Sequence, residues 1–172
     1  MQNPQVENFL IAFCDLTGFG KLSRRNDDAA VFAFLSGLYE LIGEVIESAG
    51  GRVIKFIADT ALVVFEEAGV DAGVRALKEL KSRVDTYTRK NGFDSTLVVK
   101  AHFGSAVCGM LGTKSGKLYD IIGNAVNIAA ALESHGFAIS VEVFRKLKPE
   151  TRKLFKKHTP PVTYIDIEER HR

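Results

Sequence analysis

The chain has 172 residues, 46% of them hydrophobic and 26% charged, the balance of an ordinary water-soluble globule long enough to bury a real core. Its 23 basic and 21 acidic residues leave a net charge of only +2, which gives neither nucleic acid nor an anionic membrane a claim as main partner. The polar start MQNPQVE and the apolar run 9–13 are too short for a signal or a membrane span, so residues 1–172 are expected to form one soluble, cytoplasmic domain.

Residues 9–15, FLIAFCD, read as a buried strand stopped by Thr17, Gly18 and Gly20. Asn26 then suits a helix N-cap, with Asp27 and Asp28 at the positive end of the helix dipole. Phe32, Leu35, Leu38, Ile42, Val45 and Ala49 recur at helical spacing until Gly50-Gly51 stops the helix. Residues 52–65, RVIKFIADTALVVF, are two β-rich runs around Ala58-Asp59-Thr60 and predict a hairpin. Val74, Leu77, Leu80, Val84 and Tyr87 mark a second amphipathic helix ending near Asn91-Gly92. Residues 97–111 read as two strands around Gly104-Ser105, 112–117 as a polar loop, and 119–122 as another short strand. A helix follows from Asn124 through Glu133. The basic stretch 145–158 reads as a solvated helix face, and VTYIDI at 162–167 alternates as a half-buried edge strand does. The order strand, helix, strand, strand, helix, strand predicts an α+β fold: a ferredoxin-like antiparallel sheet with helices packed on one face.

His102, His135, His158 and His171 are scattered without metal-ligand spacing. Cys14 and Cys108 lie in apolar strand-like runs and read as buried reduced thiols, although spacing alone does not forbid a disulfide. A phosphate-binding loop of the form G-x-x-x-x-G-K-[ST] is missing. GFGKLS at 18–23 has the wrong spacing, and GTKSGKL at 112–118 is one residue short and leads into a strand. Asp15 closes the first strand and Asp59 sits at the hairpin tip. In a ferredoxin-like sheet the first and third strands are neighbours, so the two carboxylates can converge and hold magnesium with substrate phosphates. The plainer alternative is that both aspartates cap turns.

Three blocks carry a resemblance: FCDLTGFGKLS (13–23), GGRVIKFIADTALVVF (50–65) and VKAHFGSAVCGMLGTKSGKLYDIIGNAVNIAAALES (99–134). In order and spacing they resemble the class III adenylyl and guanylyl cyclases. The resemblance implies attack of a ribose 3′-oxygen on the α-phosphate of a nucleoside triphosphate, with loss of pyrophosphate. It also implies a homodimer whose composite sites take metal-binding residues from one subunit and base-reading residues from the other. Asp15 and Asp59 match the metal-binding aspartates, for two Mg2+ or Mn2+ ions per site. The backbone of Leu16 and the turn through Phe19 match the segment along the triphosphate. Lys55 matches the base-reading lysine, Asp120 its partner, and Asn127 the asparagine that steadies ribose and transition state. A lysine that donates beside a carboxylate that accepts matches adenine, which points to ATP rather than GTP.

There are departures. Ala131 stands where the family has an arginine one helical turn after the asparagine, Gly20 where a threonine is usual, and Ala58 where a glycine precedes the metal aspartate. Lys156 or Lys157 lies near where the family has a phosphate-binding lysine, and either of them, Arg24 or Arg25 would compensate for the missing arginine if the fold brings it close. The missing arginine keeps open a second reading, a non-catalytic cyclase-homology module that binds nucleotide or dimerises in signalling.

Overall fold

A computed structural model of the chain describes residues 3–159 and 161–169; His171 lies outside them. The first strand, β1 (Gln5–Leu16), alternates between two buried faces. Leu10, Ala12, Cys14 and Leu16 enter the main core, whereas Phe9 and Ile11 enter a smaller second core on the opposite face. That double burial is why the segment reads as an unbroken apolar run. The two cysteines are free, and they lie in different cores on opposite faces of the sheet, too far around each other to bridge.

Two 21-residue helices cover the main core, α2 (Asp28–Ser48) and α3 (Val70–Lys90). Val31, Phe34, Leu38, Ile42, Val45 and Ile46 form the buried stripe of α2. Phe32, expected in that stripe, is 76% exposed because it sits one residue off the Val31–Phe34–Leu38 line. By length and hydropathy α2 would also pass for a membrane span, yet its apolar stripe is packed within the core. Its N-cap is Asp27, whose carboxylate accepts from the Ala30 N–H, rather than Asn26. Asn26 instead donates to the Leu22 carbonyl and closes a short helix, α1 (Phe19–Arg25), that the glycine-rich sequence did not announce.

The hairpin follows as expected, as β2 (Arg52–Ile57) and β3 (Thr60–Glu66). The predicted pair of strands at 97–111 is instead one 16-residue strand, β4 (Leu97–Gly112). It pairs with β1 in unbroken register from Gln5↔Cys108 to Leu16↔Leu97. Gly104 is no turn: a Cβ there would lie 2.7 Å from the Ala125 Cβ, so the glycine lets a helix approach the strand closely. That helix, α4 (Asn124–Ala131), follows β5 (Lys117–Ile122) and ends two residues before Glu133. It packs on the face opposite α2 and α3, so the helices do not all share one face.

The sheet order is β2-β3-β1-β4 in its first half, the ferredoxin-like arrangement, with β3 beside β1. The basic tail is not one helix. Residues 145–158 run from the end of a short helix, α5 (Val141–Lys146), through another, α6 (Pro149–Arg152), into β7 (Phe155–His158), with β6 (Phe137–Ile139) before them and β8 (Thr163–Asp166) after them. These continue the sheet as β4-β6-β8-β7, with β5 also on β4. β6 runs parallel to β4, so the sheet is mixed. β8, expected at an edge, lies between β6 and β7 because β7 supplies its outer partner.

Candidate functional site

The chain leaves β1 through Asp15-Leu16-Thr17 into Gly18, whose φ of 69° takes the left-handed turn that starts α1. Nearby, the β2–β3 hairpin turns through Ala58 and Asp59. Ala58 has φ 51°, the one positive value outside glycine among the described residues. The tip is braced from α2: the Tyr39 hydroxyl donates to the Ala58 carbonyl at 2.5 Å, and its ring stacks on Phe56 at 3.7 Å.

The adjacency of β1 and β3 brings the two carboxylates together. Thr60 donates to Asp15 Oδ1 at 2.5 Å, and the Leu16 N–H donates to Asp59 Oδ2 at 3.3 Å. Burial, then the charge of Asp15, pushes Asp59 up to about 6. One residue back, burial and Asp15 together push the Cys14 thiol up to about 12. The Leu16 N–H is therefore already engaged, and Phe19, the first residue of α1, packs against the main core. What remains open at this turn is the mouth around exposed Asp15 and half-buried Asp59.

A second pair forms around the sheet. In β2 the register shifts between Val53 and Lys55, so that Val53 and Phe56 face the main core while Ile54 lies with the second one. This bulge sets Lys55 opposite Leu62, a second-core residue, and so re-aims its side chain to the face carrying α4. There the β4–β5 hairpin bends back to meet β2. Lys55 Nζ lies 2.7 Å from Asp120 Oδ2, and the Arg52 guanidinium sits 4.7 Å over the Tyr119 ring. The other Asp120 oxygen accepts from the Ile121 N–H at 2.8 Å, which fixes the carboxylate. Asn127 is exposed on α4, and Ala131 is exposed at the end of the same helix, one turn on.

The structure thus joins Asp15 with Asp59, and Lys55 with Asp120, as two separate clusters within one chain. It brings neither of the expected tail lysines to them. Lys156 donates to the Ile167 and Glu169 carbonyls, and Lys157 is exposed on β7 at the far end of the sheet. Arg24 and Arg25 occupy the last turn of α1. Sequence reading missed Thr60, Tyr39 and Arg52, whose roles depend on cross-strand and helix–hairpin contacts that no local motif encodes.

Among the described residues no three His, Cys, Asp or Glu side chains converge on one point. Two carboxylates facing one mouth do suit a hard divalent cation that takes its remaining oxygens from phosphates and water. Their mutual repulsion, read in Asp59, is the charge such a cation would relieve.

The family described as "Adenylate and Guanylate cyclase catalytic domain" matches residues 1–161. An adenylate cyclase of Anabaena cylindrica is 29% identical over 131 residues, 72% of this chain and 26% of that protein. A receptor-type guanylate cyclase of Drosophila melanogaster is 27% identical over 154 residues, 84% of this chain and 10% of that protein. The chain therefore spans about a quarter of the first of these relatives and a tenth of the second. A solved bacterial light-regulated adenylyl cyclase superposes with a TM-score of 0.85 at 21% identity, over 98% of this chain and 54% of that one.

Proposed function

The chain belongs to the adenylate and guanylate cyclase catalytic domain family, and from that premise we propose that it converts ATP to cyclic AMP and pyrophosphate. The observation that carries the choice of ATP is the Lys55–Asp120 pair at 2.7 Å. It sets an obligate donor beside an acceptor. Each keeps capacity for a further partner, since an ammonium has three N–H groups and a carboxylate about four lone-pair sites. Adenine offers an acceptor at N1 and a donor at its 6-amino group, which is the complement. Guanine offers the reverse and would leave both groups facing like partners, a mismatch that discriminates strongly in a buried site.

Asp15 and Asp59 would hold Mg2+ or Mn2+, two ions per site, and bound there the ions would lower the charge on attacking and leaving oxygens. Thr60 and the Leu16 N–H hold those carboxylates in place, and the turn through Phe19 lies along the triphosphate. Lys55 and Asp120 orient the base, and Asn127 donates to ribose and phosphate oxygens. Catalysis is then mostly positioning and charge stabilisation.

The site is completed by a second copy of the chain. In support, the metal pair and the base pair are separate clusters. Beside α4 there is also an exposed apolar strip, Val6, Val107, Ile122 and Ile128, of the kind that marks a protein interface. Ala131 favours the second reading, a module that binds nucleotide without cyclising it. The test is purified full chain, verified as a dimer, with manganese and ATP. Cyclic AMP that disappears in Asp59→Ala supports the enzyme. Tight ATP binding without product supports the module.

A further inference from the structure

The end of α4 has no charge of its own. Its sequence, NAVNIAAA, carries no basic residue, and Ala131 closes it. Yet a cation is present there. Lys100 Nζ donates to the carbonyl of Ala130 at 3.3 Å, one residue from Ala131. The placement follows from strand alternation. Val99 and Ala101 are buried in the main core, so Lys100 emerges on the opposite face, the one covered by α4. On β1 it stands opposite Phe13, and the next residue of β1 on that face is Asp15, paired with Val98. Lys100 therefore lies diagonal to Asp15 across the strands and reaches the last turn of the helix that carries Asn127. Its hydrogen bond is to an exposed helix-end carbonyl, a weak hold on a long flexible chain.

Resting on the cyclase reading, we propose that Lys100 supplies to the substrate phosphates the positive charge that α4 lacks at Ala131. Of the tail lysines, Lys156 is held by two carbonyls and Lys157 sits on the outer strand β7. The competing role for Lys100 is purely structural, a cation neutralising the C-terminal end of a helix dipole.

Lys100→Met keeps the aliphatic stem and removes the charge. In the verified dimer with manganese and ATP, kcat should fall by roughly 10²-fold, the typical effect of losing one preorganised donor. KM should rise by less than about tenfold, because the contact is already made to the bound triphosphate and strengthens as charge develops. Adding Ala131→Arg to Lys100→Met should restore at least about tenfold in kcat, on the same principle. A helix-end role predicts the opposite pattern: a lower melting temperature, unchanged kcat for the folded fraction and no rescue by Ala131→Arg. That pattern overturns the proposal. Should the wild-type chain make no cyclic nucleotide, the cyclase reading fails by itself and the lysine is read from binding. Lys100→Met must then weaken capture of inorganic tripolyphosphate in manganese, and equal affinity in both proteins overturns it.

Discussion

Single residues at the hairpin tip are held against their own preferences. Asp59 is ionised only at a cost, because half-burial and Asp15 raise its pKa to about 6 from 3.8. A carboxyl whose folded-state value is raised contributes most stability below its unfolded value and loses it as pH rises through about 6. In metal-free buffer, Asp59→Asn should thus be more stable than wild type at pH 8, by about 1 kcal/mol once solvent screening is allowed for. The gain should vanish near pH 4. Urea unfolding with a chelator present measures it, and manganese should reverse the order by binding only the wild-type pair. A variant no more stable at pH 8 would contradict the carboxylate repulsion. Ala58 carries a different cost. A left-handed alanine is disfavoured by roughly 1–2 kcal/mol, partly offset by the chain entropy that glycine would lose. Ala58→Gly should stabilise the chain by about 0.5 kcal/mol and leave turnover unchanged. This positive φ is the physical reason why the glycine that the resemblance implies at this slot would suit the turn.

Among the elements, α2 and α3 were legible because each has one buried stripe, and β1 and the β2–β3 hairpin because β1 and β3 are short unbroken apolar runs, β2 being set off by the Ala58-Asp59-Thr60 turn. What escaped is what depends on partners. β4 looked like two strands because Gly104-Ser105 reads as a turn, yet continuous pairing with β1 keeps it straight through that point. The glycine is there for α4. The 2.7 Å approach that a Cβ would make to Ala125 gives a prediction. Gly104→Val should push α4 off the sheet at a cost of about 1–3 kcal/mol. Amide exchange should speed up in α4 with α2 and α3 still protected, and activity should fall because Asn127 rides on the displaced helix. Unchanged exchange in α4 would mean that the strand yields instead. The bulge in β2 was equally invisible: nothing in RVIKFI says that Ile54 and Lys55 lie on neighbouring parts of one face. It was nonetheless possible to assign Lys55 from the resemblance, since the family pattern encodes the outcome of the bulge without its geometry.

For the whole molecule, the sheet order β2-β3-β1-β4 was legible from element order; of the β6-β8-β7 extension only β8 was, as VTYIDI, because β6 is three residues long and β7 carries Lys156 and Lys157 among its four residues. The sheet positions the candidate site by two devices, the β1–β3 neighbourhood for Asp15 and Asp59 and the bent β4–β5 hairpin for Asp120. If a second copy completes each site, Asp59→Ala and Lys55→Ala chains should each be inactive alone. A mixture known to exchange subunits should recover about a quarter of wild-type activity, one intact site in half of the dimers. No recovery in exchanged dimers would place the whole site within one chain.

The central claim is that Lys55 and Asp120 make this an ATP-cyclising enzyme. The most direct measurement gives the dimer equal ATP and GTP in one vessel with manganese and counts both cyclic products by mass spectrometry. Cyclic AMP should exceed cyclic GMP by at least about tenfold, the discrimination expected once a bound base shuts water out of a mispaired Lys55–Asp120 pair, and Lys55→Ala should collapse the ratio along with the rate. Equal amounts of the two products, or an excess of cyclic GMP, would contradict the account.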